Sequence, residues 1–316
     1  MTRATREYRV IQIGVDFGGT KIEAAALSPE GRVLSTLRAA TPGDYDAALK
    51  VVRDLVERTE HAVGGRGTVG VGAPGSVSPR TGLIRNANTT YLNGRRFRED
   101  LEAVLERPIR LANDANCLAL SEAVDGAAAG ARVTFAVIIG TGCGGGLAID
   151  GKLVEGANGV AGEWGHVPLP WPKAEESPGP QCWCGRHGCL ETWISGTGFR
   201  RDFREHGGAD LSGAAIVEAA ALGDPVAQGA LDRYLDRLAR GLGVIADIVD
   251  PDVFVLGGGM SNVELLYERL PALVGPHVFT DNWESRIVKA RWGDSSGVRG
   301  AARLWSQADW AGDVAA

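Results

Sequence analysis

The chain has 316 residues, enough for two domains with buried cores. A formal charge of −6 excludes nucleic acid as a main partner, because no basic excess exists to replace phosphate counterions. No apolar run reaches the roughly 18 residues of a membrane span, and Met1 to Arg9 lacks the apolar core of a signal peptide, so a cytoplasmic location is expected.

In chain order, Val10 to Asp16 reads as a buried strand, Phe17 to Thr20 as a tight turn and Lys21 to Ser28 as a second strand. Pro29-Glu30-Gly31 turns again, and Arg32 to Leu37 is a third strand. Tyr45 to Gly64 carries a helical stripe of Ala48, Val51, Val52, Leu55 and Val56. Thr68 to Gly72 is another strand. Arg107 to Ala112 is strand-like and runs through Asn113-Asp114 into a helix-like stretch, Ala115 to Val124. The order then recurs. Thr134 to Ile139 is a strand, Gly140 to Gly145 a turn, Gly146 to Asp150 a strand, Gly151-Lys152 a turn, and Leu153-Val154 starts a third strand. Glu175 to Pro180 is a charged loop. A helix from about Ala227 to Val249 precedes a strand, Asp252 to Leu256, that enters Gly257-Gly258-Gly259. The last helix, Val298 to Trp305, is placed to pack back on the first half, and the tail from Gln307 frays. An internal duplication of an α/β unit explains this order. It predicts two domains, 10–126 and 127–305, around a central cleft, with a hinge near Gly126–Gly130.

Glycine makes up 45 residues, about twice the usual share, and the excess lies in clusters where backbone must turn or approach a ligand. Gly14 to Lys21 resembles a P-loop but places Thr20 where the lysine belongs, and a strand follows instead of a helix. The segment is therefore read as a hairpin turn, Gly18, Gly19, Thr20 and Lys21, whose backbone N–H groups and Thr20 hydroxyl wrap phosphate oxygens. Asp16 at the strand end is the candidate to hold Mg²⁺ through water. Gly140, Gly142 and Gly145 fit the dinucleotide fingerprint, but again a strand follows, so the dehydrogenase reading fails. Gly140, Thr141, Gly142, Cys143 and Gly144 become a second phosphate turn, and Gly257 and Gly258 are placed to lie against the base or ribose of a nucleotide. An ordinary hairpin or a strand-to-helix turn is the alternative for each.

Cys182, Cys184 and Cys189 fall within eight residues, with His166 sixteen residues earlier. Three thiols and one imidazole satisfy a structural Zn²⁺ site, with His187 the competing fourth ligand. Cys117 and Cys143 read as small buried residues. Asp114 stands at a strand–helix junction, where a carboxylate is commonly an N-cap. Its company, two glycine turns and a Cys/His cluster, makes it instead the candidate base for a sugar hydroxyl.

These residues resemble the ROK family of sugar kinases and repressors. Asp16-Phe17-Gly18-Gly19-Thr20 looks like its first phosphate motif and Gly140 to Gly146 like its second. Gly162-Glu163-Trp164-Gly165-His166 resembles its E-x-G-H segment, and Cys182-x-Cys184-Gly185-x-x-Gly188-Cys189-x-Glu191 its cysteine signature. The resemblance implies a duplicated actin-like, ribonuclease-H-like ATPase fold and a homodimer. It implies transfer of the ATP γ-phosphoryl group to a hexose, at the 6-hydroxyl. Asp114 would be the catalytic base and Asn113 its hydroxyl-binding neighbour, with Asn88, Glu163, His166 and Glu191 as sugar contacts. Asn86 to Gly94, Leu111 to Gly130 and Gly162 to Trp171 resemble bacterial fructokinases that also take mannose, so fructose is the expected substrate. A glucokinase or N-acetylhexosamine kinase is the alternative. The family's repressors carry a helix-turn-helix module before the first phosphate strand; nine residues are too few for one. A glycosidase pairing Asp114 with Glu163 would leave two phosphate turns unexplained.

Overall fold

The computed structural model describes residues 11–306; Val10, where the first strand was expected to start, and the tail from Gln307 lie outside the described residues. In chain order the elements are β1 (Gln12–Phe17), β2 (Lys21–Leu27), β3 (Val33–Ala40), α1 (Tyr45–Val63), β4 (Thr68–Ala73), β5 (Ser76–Val77), β6 (Ile84–Arg85), α2 (Phe97–Leu105), β7 (Ile109–Asn113) and α3 (Asp114–Asp125). There follow β8 (Val133–Ile139), β9 (Cys143–Ile149), β10 (Lys152–Leu153), α4 (Glu191–Ile194), α5 (Gly196–Glu205), α6 (Gly213–Ala221), α7 (Pro225–Val249), β11 (Val253–Gly257), α8 (Leu265–Val274), β12 (Arg286–Lys289) and α9 (Ser296–Ala302).

The chain divides into two compact units, residues 11–121, 155–160 and 294–306, and residues 122–154 and 161–293. It leaves the first unit inside α3. Each unit holds a five-stranded sheet, ordered β3-β2-β1-β4-β7 in one and β10-β9-β8-β11-β12 in the other. In the first, β1 and β3 flank β2 antiparallel, and β4 runs parallel between β1 and β7. In the second, β9 runs antiparallel to β8 and β10, and β11 runs parallel between β8 and β12. One plan is thus used twice, which makes the α/β duplication read from the sequence a property of the fold.

Local signals explain the principal helices. In α1 the Asp44 carboxylate accepts from the Ala47 N–H, the stripe of Ala48, Val52, Leu55 and Val56 is buried, and Gly64 ends the helix in the left-handed region at φ 70°. α7 opens on Asp224 as cap with Pro225 in its first turn, and buries Leu231, Leu235, Leu238 and Leu242. α2 was not anticipated, although its Phe97, Leu101 and Leu105 are buried on one face. Phe97 meets Phe17 edge-on at 5.2 Å in the core of the first unit.

The last helix, α9, lies flat on β1 and β4, and glycine is what lets it. A Cβ on Gly14 would run into the Val298 carbonyl oxygen, and one on Gly70 into that of Ala301. Gly14→Ala and Gly70→Ala are therefore expected to lower stability by about 3 kcal/mol each, the cost of overpacking a filled core. Gly43→Ala, where no atom lies within 4 Å, should stay within about 0.5 kcal/mol of the parent. Urea midpoints measure all three, and equal midpoints would refute the close-packing account.

Candidate active site

In the first unit, the candidate ligand-binding groups collect at the carboxyl ends of the parallel strands. Register places Asp16 of β1 beside Gly72 of β4, and Ala73 of β4 beside Asn113 of β7, so Asp16 and the Asn113-Asp114 pair share one edge. Loops at this edge are where open α/β sheets bind ligands. Asn113 caps α3: its Oδ1 accepts from the Asn116 N–H at 2.7 Å. Asp114 is the first helical residue, and its Oδ1 accepts from the Ala115 N–H at 2.9 Å. The commonplace capping role of a carboxylate at this junction has passed to its neighbour.

Asp114 keeps an exposed surface, yet protein crowds its carboxyl. The lost hydration pushes it above the ordinary carboxylate range, against the pull of the Ala115 N–H. Asp16 is pushed up to about 6, first by burial and then by the negative charge of Asp114, Glu23 and Asp294, with Lys21 pulling down. Negative charge gathered around Asp16 in this way suits a divalent cation, which would relieve the repulsion.

The first glycine turn is closed by the Gly18 N–H donating to the Lys21 carbonyl at 3.0 Å and by the Thr41 hydroxyl donating to the Gly18 carbonyl at 2.7 Å. Gly19 and Thr20 are exposed at its tip. Lys21 turns toward the buried Glu23, 3.6 Å away. Asn88 is exposed on a loop locked by Asn93, whose side chain accepts from the Ala87 N–H and donates to the Ala87 carbonyl, both at 2.9 Å.

In the second unit, β8 and β11 are neighbours and parallel, so the turn after Ile139 and the turn after Gly257 emerge side by side. Gly258 has φ 83°, and a Cβ there would meet the Ile139 backbone. The Gly140 turn is shorter than expected from sequence: β9 already begins at Cys143. In β9, Gly145 serves packing. The Trp164 indole donates to the Gly144 carbonyl at 3.0 Å, and a Cβ on Gly145 would strike the Trp164 ring. Cys143, assigned to phosphate from sequence, is buried, and its N–H donates to Glu191 Oε2 at 3.0 Å. The turn's exposed residue is Thr141, whose carbonyl accepts from the Thr197 hydroxyl at 2.8 Å.

His166, Cys182, Cys184 and Cys189 converge, with all four ligand atoms within 4.8 Å of one another. His166 Nδ1 lies 3.6 Å from Cys182 Sγ, and Cys184 Sγ lies 3.6 Å from Cys189 Sγ. A tetrahedron with metal–sulfur bonds of about 2.3 Å has edges of about 3.8 Å, so the set fits Zn²⁺. His187 stands outside it, its Nδ1 3.2 Å from the Gly179 carbonyl. The knuckle is shaped by the Cys182 N–H donating to the Arg186 carbonyl at 2.7 Å and by Gly185 at φ 89°. Burial pushes the Cys189 thiol up to about 12, so a bound cation must displace its proton. Glu163 precedes the short turn Trp164–His166, which ends on His166 and which the Trp164 ring seats on Phe135 of β8.

Sequence reasoning missed the scaffold behind this knuckle. Arg240 of α7 donates to both Glu176 oxygens, at 2.9 and 3.0 Å, and to the Pro170 and Trp171 carbonyls, each at 2.9 Å. Arg237 bonds Glu176 and Asp202, at 2.8 and 2.7 Å. These buried arginines clip the segment between His166 and Cys182 to α7. Their signal was a charge on an otherwise apolar helix face, which does not name its partner.

The profile of the ROK family matches residues 12–308 of the chain. The chain belongs to the ROK family. An N-acetyl-D-glucosamine kinase of Photobacterium profundum is 40% identical over 296 residues, covering 92% of this chain and 98% of that protein. A ROK hexokinase from Thermus thermophilus has a TM-score of 0.82 at 32% identity, covering 93% of this chain and 97% of its own. A ROK family glucokinase from Streptomyces griseus, in complex with glucose and AMPPNP, has a TM-score of 0.76 at 30% identity, covering 93% and 98%. The two-unit α/β architecture is accordingly the actin-like fold of ROK sugar kinases. Among the described residues, no helix is long and apolar enough to cross a membrane.

Proposed function

We propose that this ROK protein is an ATP-dependent sugar kinase that phosphorylates N-acetyl-D-glucosamine at the 6-hydroxyl. The substrate rests on the relatives: 40% identity across nearly the whole of an N-acetyl-D-glucosamine kinase outweighs the three short stretches that pointed to fructose. The chemistry rests on Asp114, which the Asn113 cap relieves of capping the helix at the carboxyl edge of the parallel strands.

Phosphoryl transfer asks for positioning and charge neutralisation more than covalent chemistry. In the proposed reaction the sugar hydroxyl oxygen bonds to the γ-phosphorus, the bond to the β-phosphate oxygen breaks, ADP leaves, and Asp114 accepts the hydroxyl proton. Asn113 spends Oδ1 on its cap, so its Nδ2 is the atom for a sugar hydroxyl. Asn88, Glu163, His166 and Glu191 are assigned the other sugar contacts. Gly19, Thr20 and Lys21 would take phosphate oxygens on the turn that Gly18 closes, with Gly140, Thr141 and Gly142 as the second turn, and Gly257 and Gly258 would lie along the nucleoside. Asp16 would hold Mg²⁺ through water; Mg²⁺ when bound neutralises charge on the phosphates. Zn²⁺ at His166, Cys182, Cys184 and Cys189 is structural, since four protein ligands leave no open position. A homodimer is the proposed assembly.

The test is ADP release with N-acetyl-D-glucosamine, glucose, mannose and fructose at equal concentrations. The amino sugar is expected to give the highest kcat/KM. A preference for fructose would return the substrate to the sequence-based expectation, and ADP release unaffected by any sugar would sink the kinase reading.

A further inference from the structure

Glu191 is held at both oxygens. Its Oε2 accepts from the Cys143 N–H of the second glycine turn at 3.0 Å, in space that a Cβ on Gly142 would fill, since such a carbon would lie 2.7 Å from that oxygen. Its Oε1 accepts from the indole N–H of Trp183 at 2.7 Å. Trp183 stands between two of the clustered thiols, Cys182 and Cys184, and its ring meets the His166 imidazole edge-on at 4.9 Å. The side chain is nevertheless 63% exposed. A large aromatic left in water, with its one polar atom bonded to a carboxylate, is not there to fill a core.

We propose that Trp183 is a positioning residue for the sugar: it fixes the rotamer of Glu191 and ties that carboxylate to the cysteine knuckle. An ionised carboxylate has about four acceptor sites. The indole and the Cys143 amide take one on each oxygen, which leaves one on each, in a fixed direction, for two sugar hydroxyls. Without the indole, Glu191 would keep a single anchor at Cys143 and its plane could turn. Pre-orientation of this kind lowers the ordering cost of binding and acts on sugar affinity more than on the chemical step. The inference rests on the kinase reading above and on Glu191 as a sugar contact.

The experiment compares Trp183→Phe, Glu191→Gln and the double variant as full-length, zinc-loaded proteins. Phenylalanine keeps a ring against His166 and removes the N–H. Trp183→Phe is expected to raise KM for N-acetyl-D-glucosamine about tenfold, the scale of one hydrogen bond to a charged acceptor. Its kcat should change less than about twofold, with zinc content and melting temperature as in the parent. The double variant should be no worse than Glu191→Gln alone, because the indole acts through that carboxylate. In a proton–nitrogen spectrum without sugar, the indole signal that Trp183→Phe removes should shift in Glu191→Gln. A parental KM in Trp183→Phe, while Glu191→Gln raises it, overturns the inference alone. So do losses that multiply in the double variant, or loss of zinc from Trp183→Phe. A parental KM in Glu191→Gln overturns the role of Glu191 and the inference together, and the absence of sugar phosphorylation by the parent protein overturns the kinase reading itself.

Discussion

Asp114→Asn is expected to lower kcat by about 10²–10⁴-fold, the usual worth of general-base help, and to leave ATP affinity and melting temperature as they were. The local structure makes this a clean experiment. Asn113, not Asp114, caps α3 through its 2.7 Å bond to the Asn116 N–H, so the helix start survives the change. An asparagine Oδ1 can still accept the Ala115 N–H that Asp114 accepts at 2.9 Å. What is lost is the ability to take a proton. The base works only when ionised, and desolvation raises its pKa, so kcat/KM should fall as the pH drops toward a limb lying above the ordinary carboxylate range. Asp16, pushed up to about 6 in part by the charge of Asp114, titrates nearby, so the limb belongs to interacting carboxylates and not to one residue. Removing the Asp114 charge should let Asp16 ionise at lower pH. Initial rates from ADP release and calorimetric titration of nucleotide provide the measurements; a variant keeping more than about a tenth of the parental kcat would remove Asp114 from the role of base.

The parts of this site that were legible in the sequence are those where a short run fixes both backbone and chemistry. Apolar runs ending in glycine marked β1, β4, β8 and β11, and with them the strand ends that carry Asp16 in the first unit and Gly140 and Gly258 in the second. Three cysteines in eight residues marked the knuckle, but spacing left His166 and His187 as rivals; the ligand atoms that meet belong to His166. Residues made important by distant neighbours were not legible. Asp294 bears on Asp16 from the far end of the chain, and Glu176, in a segment read only as a charged loop, is buried against Arg237 and Arg240. The second glycine run misled in an instructive way. Its spacing fits a phosphate turn, yet Gly144 and Gly145 are strand residues and Gly145 is kept small by Trp164, and a missing side chain looks the same in sequence whether a ligand or an indole takes the room.

Loss of the knuckle's cation is the second large effect expected, because the residues it gathers also set the position of Glu191. Cys189 is 1% exposed, its carbonyl accepts from the Thr192 hydroxyl at 2.7 Å, and Glu191 opens α4 two residues on. Cys189→Ser should release zinc, lower the melting temperature by roughly 5–10 °C, the equivalent of a few kcal/mol in a chain of this size, and raise KM for the sugar at least about tenfold. ATP affinity should fall less than sugar affinity, since β1, β2 and the phosphate turn between them belong to the other unit. Acidification should act in the same direction as the mutation. Zinc needs the thiolates, and burial keeps the Cys182 and Cys189 protons on, so bound metal competes with protons and is surrendered as the pH falls. Zinc content, melting temperature and sugar KM measured on one preparation decide the matter. A zinc-free variant with parental KM would mean that the Arg240 and Arg237 clip alone holds the segment, and that Glu191 takes its orientation from Cys143 without help from the metal. If KM rises while melting is unchanged, the cation acts on the local geometry of Glu191 and the clip carries the stability, a division of labour consistent with the clip holding the middle of the segment whose ends supply the metal ligands.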